Sequence, residues 1–208
     1  MSTSRSYGGR LVVDRKAERR SRFLDAGLEI FSGKGYAKSS ITDICAAAGL
    51  SRRQFYEEFG SREDLLFAVY DWIQLDAREA VTAAVLGEPS RELRRVAAAA
   101  MSAYVRSVGT DPRRAEVSFV QIIGVSDHME QHRIDGREQW TEFFHSIAAT
   151  IVGPSYVPPG GYTLAATAFI AALTALVHRW SVTTPRPPVD DVVEPMTVIL
   201  VALLSQSG

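Results

Sequence analysis

A chain of 208 residues, 46% hydrophobic and 23% charged, can bury one substantial core or a small domain joined to a larger one, and has an ordinary globular composition. A single cysteine, Cys45, excludes an intramolecular disulfide framework and agrees with a reducing compartment. The net charge of -1 conceals an asymmetry: residues 1–62 hold 12 Lys/Arg against 7 Asp/Glu, and residues 63–208 hold 11 against 17, which points to a polyanionic partner for the first part only.

The N-terminus, MSTSRSYGGR, is polar and basic with no apolar run of the signal-peptide kind. Residues 1–14 read as a mobile basic arm. From Asp14 the pattern turns helical, with Phe23, Leu24, Gly27, Ile30 and Phe31 on one face, and Gly35 ends this helix. Ser40-Ile-Thr-Asp43 reads as a capping box opening a short helix that stops at Gly49. Ser51 caps the next helix, through Phe55, Tyr56 and Phe59. Ser61-Arg-Glu-Asp64 then opens a long one through Leu65, Val69 and Ile73. These cues divide the chain into a helix-turn-helix domain at 15–62 and a second domain at 63–208.

The second part continues as helices between breaks, at about 90–108, 112–125, 126–152, 163–182 and 189–206, with Pro195 near the start of the last. No alternating run flanked by hairpin turns is present. The prediction is an all-α fold of about nine helices. The longest apolar run, Leu164 to Val177, falls short of the ~20 residues that span a bilayer, so no membrane partner and a cytoplasmic location are expected.

In the stretch LSRRQFYEEFG, residues 50–60, the charges oppose the helix dipole. Arg52 and Arg53 occupy the first turn and Glu57 and Glu58 the last, at a cost of roughly 0.3–1 kcal/mol per exposed charge. Two short helices joined by Gly49-Leu50-Ser51 make a helix-turn-helix signature. Arginine suits bidentate contact with guanine and glutamine with adenine. On the residues alone, Arg52 and Arg53 are equally a solvated face, with Arg53 and Glu57 paired at i,i+4, and Tyr56 is equally a core ring.

The whole segment from Phe23 to Leu66 resembles the TetR family of bacterial transcriptional regulators. It carries the Phe-x-x-x-Gly-aromatic end of the first helix (Phe31 to Tyr36) and the Ser39-Ser40 pair opening the second. The Gly-aliphatic-Ser turn, the aromatic-Tyr-x-x-Phe third helix (Phe55 to Phe59) and the Gly-Ser-Arg-Glu-x-Leu close (Gly60 to Leu65) follow in order. The resemblance implies that Arg52, Arg53 and Gln54, with Thr42, face base edges of a double-stranded DNA operator. Ser40, Tyr56 and Arg62 would hold phosphates, and Arg15, Lys16, Arg19 and Arg20 would add salt-sensitive attraction. Glu58 stands where the family often has His.

The resemblance further implies a homodimer built on the last two helices, through Leu164, Ala168, Ala172, Ala175, Val198 and Val201. It also implies a small, mostly apolar effector in the second domain, for which Tyr104, His128, Trp140, Phe144 and Trp180 are the pocket candidates. The resemblance implies a repressor released by that effector; an activator without a small-molecule ligand is the variant reading. His128-Met-Glu-Gln-His132 places two imidazoles at i,i+4, and with Glu142 and His145 it leaves open a helical enzyme or metal-binding module with a residual helix-turn-helix. No complete ligand set is identifiable, so no catalytic residue, metal or cofactor is assigned.

Overall fold

The computed structural model describes residues 6–153 and 155–205. Among these the chain forms nine α-helices and one π-helical turn, with no strand. They are α1 Ser6–Lys34, α2 Ile41–Ala48, α3 Arg52–Glu58, α4 Arg62–Gly87, α5 Leu93–Gly109, α6 Pro112–Glu116, the π turn Val117–Gln121, α7 Asp127–Val152, α8 Gly161–Val182 and α9 Asp190–Leu204. The chain divides into two units, Met1–Asp71 and Trp72–Gly208. The division falls inside α4, beyond the boundary drawn at 62/63 from the capping signal at Ser61. That signal starts a helix, and a helix can serve two cores in succession.

In the first unit, α1 begins at Ser6, inside the stretch read as an arm. After Gly9 no breaker separates it from the helical pattern at Asp14, so the same helix continues. Residues 1–5 of the expected arm lie outside the described residues. Ser40 and Asp43 form the capping box of α2, with Ser40 Oγ accepting from Asp43 N–H at 3.1 Å and Asp43 Oδ2 accepting from Ser40 N–H at 2.9 Å. Gly49 closes α2 with φ 61, in the left-handed region, where a Cβ would be strained. Ser61 Oγ accepts from Asp64 N–H at 3.0 Å at the start of α4. The core is aromatic: Phe23 meets Phe55 edge to face at 5.4 Å between centroids, and Phe59 at 6.1 Å. All three rings are buried, and they fix α3 against α1.

In the second unit, α8 packs against α5, α6, α7 and α9, and α5 lies along α9. Val105, Met129, Val177 and Met196 on these helices are fully buried. Ser126 caps α7 through Met129 N–H at 2.9 Å, as the sequence indicates. The single helix expected over 112–125 is α6 followed by the π turn, and it ends at Gln121. Gly124 takes φ 71 and reverses the chain before Ser126. Pro195 lies inside α9 rather than at its first turn. The loop before α8 is tied down by Tyr156, whose hydroxyl donates to Leu203 O at 2.7 Å.

Candidate nucleic-acid interface and effector cavity

The candidate DNA-facing surface is built on α3 and the start of α2. Arg52, Arg53, Tyr56, Thr42 and Ser40 are all exposed, and Tyr56 remains 52% accessible while Phe55 beside it is buried. Arg53 Nε pairs with Glu57 Oε1 at 3.2 Å, both side chains being open to solvent. Such a pair contributes a few tenths of a kcal/mol and is readily exchanged for a stronger acceptor. Gln54 is placed differently from expectation. Its Oε1 accepts from Ser51 N–H and Ser51 Oγ–H, each at 2.9 Å, completing a capping box at the start of α3. Its carbonyl is therefore occupied in capping, not in presentation to a base.

The charges that oppose the helix dipole have separate fates. Glu58 turns inward: its Oε1 accepts from Arg19 Nη2 at 3.1 Å and Nε at 3.4 Å, and its side chain is 1% exposed. Its other oxygen, Oε2, is buried without a hydrogen-bond partner. Arg19 is thereby a clamp between α1 and α3. Two other α1 cations also act within the protein. Arg20 lies over the Phe59 ring at 4.7 Å, and Arg22 Nη2 donates to Ala48 O at 2.6 Å and Gly49 O at 3.2 Å, capping the C-terminus of α2. Arg15 and Lys16 of the expected basic set are exposed and make no such contact among the described residues. Arg62 likewise stacks on Tyr36 at 4.2 Å, and its Nη1 donates to Ser39 O and, at 3.3 Å, to Ser39 Oγ. It fastens the start of α4 to the loop before α2, where a phosphate contact had been expected.

The second unit contains a cavity of about 60 Å³ open to the centre of a water-sized sphere, between α4, α5, α7, α8 and α9. Of the five expected pocket residues, Tyr104, Trp140 and Phe144 line it. His128 does not, because it lies exposed in the first turn of α7. Trp180 does not either. It is buried at the end of α8, with Nε1–H donated to Pro187 O at 2.8 Å and Arg186 over its ring at 5.0 Å. Trp140 donates its indole N–H to Gln74 Oε1 at 2.8 Å, and Gln74 Nε2 reaches Ser118 Oγ at 3.4 Å. Gln74 was not singled out in the sequence. Its only signal is a polar side chain beside Ile73 and Ala77 on the buried face of α4.

Residues 23–69 match the family described as bacterial regulatory proteins, tetR family. The helix-turn-helix with its capped turn and exposed Arg52–Arg53 pair falls inside the match. That segment is similar to the DNA-binding part of the TetR family of bacterial transcriptional regulators. The chain is similar to the HTH-type transcriptional regulator CymR of Pseudomonas putida, 33% identical over 64 residues, covering 31% of this chain and 32% of that protein. It also resembles an uncharacterized HTH-type regulator, YerO, of Bacillus subtilis, 25% identical over 79 residues, 36% of this chain and 27% of that protein. The aligned part thus spans about a third or less of the curated relatives. Among solved structures, FadR of B. subtilis in complex with stearoyl-CoA superposes with a TM-score of 0.75 at 16% identity, over 88% of this chain and 97% of that one. A TetR/AcrR-family regulator of Thermobifida fusca gives 0.61 at 25% identity, over 91% and 98%.

The helices α8 and α9 leave apolar side chains uncovered. Leu164 is 66% accessible and Val198 48%. Ala168 and Ala175 are exposed, and Ala172 and Val201 are half-buried. On α8 the exposed positions 164, 168, 171 and 175 recur at helical spacing and form one stripe. By length and composition α8 is also apolar enough to cross a membrane, but it packs on four neighbouring helices. Among the described residues no three His, Cys, Asp or Glu side chains are grouped as metal ligands. His145 stacks on Tyr162 at 4.0 Å, away from the His128/His132 pair in sequence and role.

Proposed function

We propose that the protein is a homodimeric, effector-responsive repressor that reads a palindromic operator. The observation that carries this reading is the sorting of polar side chains on α3. Arg52 and Arg53 stay exposed, while Gln54 and Glu58 are engaged with the protein itself. A helix N-terminus carrying two exposed cations, Arg53 paired only with the exposed Glu57, is unfavourable alone and favourable against a major groove lined by guanine acceptors and phosphates. Thr42, Ser40 and Tyr56 flank the same face and suit methyl and phosphate contacts.

Two copies paired through the α8–α9 stripe would supply two recognition helices for half-sites about 34–36 Å apart. The effector reading is supported by the apolar cavity around Tyr104, Trp140 and Phe144. The FadR structure of the same fold holds stearoyl-CoA, which agrees with an apolar effector. An effector can act only through its different affinities for DNA-binding and DNA-free states.

The test is fluorescence anisotropy with duplex DNA from upstream of the protein's own gene, against a scrambled duplex, over a salt series. Preference for the upstream duplex, with two chains bound per site and affinity falling steeply with salt, supports the reading. Equal binding to both duplexes removes it.

A further inference from the structure

The two ends of the Gln54 amide have different fates. Its Oε1 accepts from Ser51 N–H and from Ser51 Oγ–H, each at 2.9 Å. A backbone N–H only donates, so the atom facing it is the carbonyl oxygen and the amide fits one way round. Ser51 Oγ in turn accepts from Gln54 N–H at 3.3 Å, which leaves its own proton for Oε1. Two donors thus occupy the two lone pairs of that oxygen.

The other end is open. Gln54 Nε2 has no partner among the described residues, and it is not one of the buried unpartnered atoms, so solvent reaches its N–H groups. It lies in the first turn of α3, beside the exposed Arg52 and Arg53. As it stands, the side chain gives hydrogen bonds to a partner and accepts none.

That asymmetry sorts the bases. Adenine presents the N6 donor beside the N7 acceptor, and the two-point contact of glutamine with adenine needs the amide carbonyl. Here that contact would strip Ser51 N–H and Oγ–H of their acceptor. Cytosine presents the N4 donor, which opposes a second donor, and thymine presents one acceptor, O4. Guanine presents two acceptors, N7 and O6, and no donor. We infer that Gln54 selects guanine, donating from Nε2 to O6 or N7 while its carbonyl stays in the cap. The inference rests on α3 being the DNA-reading helix, and it adds the base that one side chain selects.

Fluorescence anisotropy tests it, with the full-length protein and the duplex from upstream of its own gene, against every single-base variant of that duplex. The informative substitution is Gln54→Glu. The carboxylate still accepts from Ser51 N–H and keeps the capping box, but it has nothing to donate. Thermal melting should be unchanged or raised. One position per half-site should lose its base preference, and the unaltered protein should prefer G·C over A·T there by about five-fold. The readout is the ratio between bases, so uniform weakening by the added charge does not enter it. Gln54→Met removes cap and donors together and should lower the melting temperature as well as abolish the preference.

A purely structural Gln54 gives another pattern: Gln54→Met is destabilised, and Gln54→Glu keeps every base preference. That pattern, or a Gln54-dependent position that prefers A·T in either orientation, overturns the inference and leaves the regulator reading standing. If the unaltered protein shows no sequence preference at all, the regulator reading falls and this inference falls with it.

Discussion

Glu58, in the last turn of α3, accepts a hydrogen bond from Arg19 of α1 at 3.1 Å with its own side chain 1% exposed. A carboxylate that would repel a phosphate backbone is thereby turned into the protein. The same contact takes Arg19 out of the non-specific DNA-binding set and makes it a fastener of α3. The pair is buried on the Glu58 side and open on the Arg19 side, 31% exposed.

Removing Arg19 should therefore cost more than removing an exposed cation. Arg19→Ala leaves Glu58 buried and uncompensated, and should lower unfolding stability by about 1–3 kcal/mol in urea titration. Replacing Glu58 with Leu in the same chain should recover most of that loss, because no charge is then left buried. If Arg19→Ala is neutral, the contact does not hold α3.

Arg62→Ala should act on stability and not on the salt dependence of DNA binding. The guanidinium is held by the Tyr36 ring and Ser39, so its loss should cost about 1–2 kcal/mol. The slope of log affinity against log salt should be unchanged. A phosphate contact would reduce that slope by about 1.

These reassignments show what the sequence could carry. Helix boundaries at Ser40, Ser51 and Ser126 were legible because capping is local, a side chain satisfying an orphan N–H within three residues, and the boundary at Gly49 because glycine tolerates the left-handed conformation that ends a helix. The identities of Arg19, Arg22 and Arg62 as clamps were not legible. Each joins residues more than twenty positions apart, and an arginine that grips a carbonyl is written the same way as one that grips a phosphate. Tyr104, Trp140 and Phe144 were recoverable as apolar positions at helical spacing. Trp180 shares that signal, yet packs on Gly109, a contact set by how the ends of α5 and α8 meet.

Gly109→Ala tests that contact. A Cβ there would lie 2.9 Å from Trp180 Cζ3 and 3.0 Å from Val177 Cγ1. The substitution should destabilise the second unit by about 1–3 kcal/mol through overpacking and leave effector affinity unchanged in the folded fraction. Altered effector affinity would return Trp180 to the cavity.

Acid sensitivity should be traceable in part to Asp43. Hydrogen bonding from Lys34, then from Ser40, holds its carboxyl below the ordinary value of 3.8, with Lys34 Nζ 2.8 Å away. A depressed pKa in the folded state contributes stability that is present above 3.8 and is lost as pH falls below it through the folded value. Asp43→Asn should make the stability of the first unit less dependent on pH in that acid range, as read by thermal melts. An unchanged acid limb would show that the Lys34–Asp43 contact contributes nothing in solution.

The central claim is that α3 presents Arg52 and Arg53 to bases while Gln54, through its carbonyl, and Glu58 serve the fold. The most direct measurement is the affinity of Arg53→Ala for the operator and for single-base variants of it, at fixed salt. Binding to the operator should weaken by about 1–3 kcal/mol and discrimination should relax at one position per half-site, with thermal stability nearly unchanged because only the exposed Glu57 pair is lost. Undiminished affinity with full discrimination at every position would contradict the account.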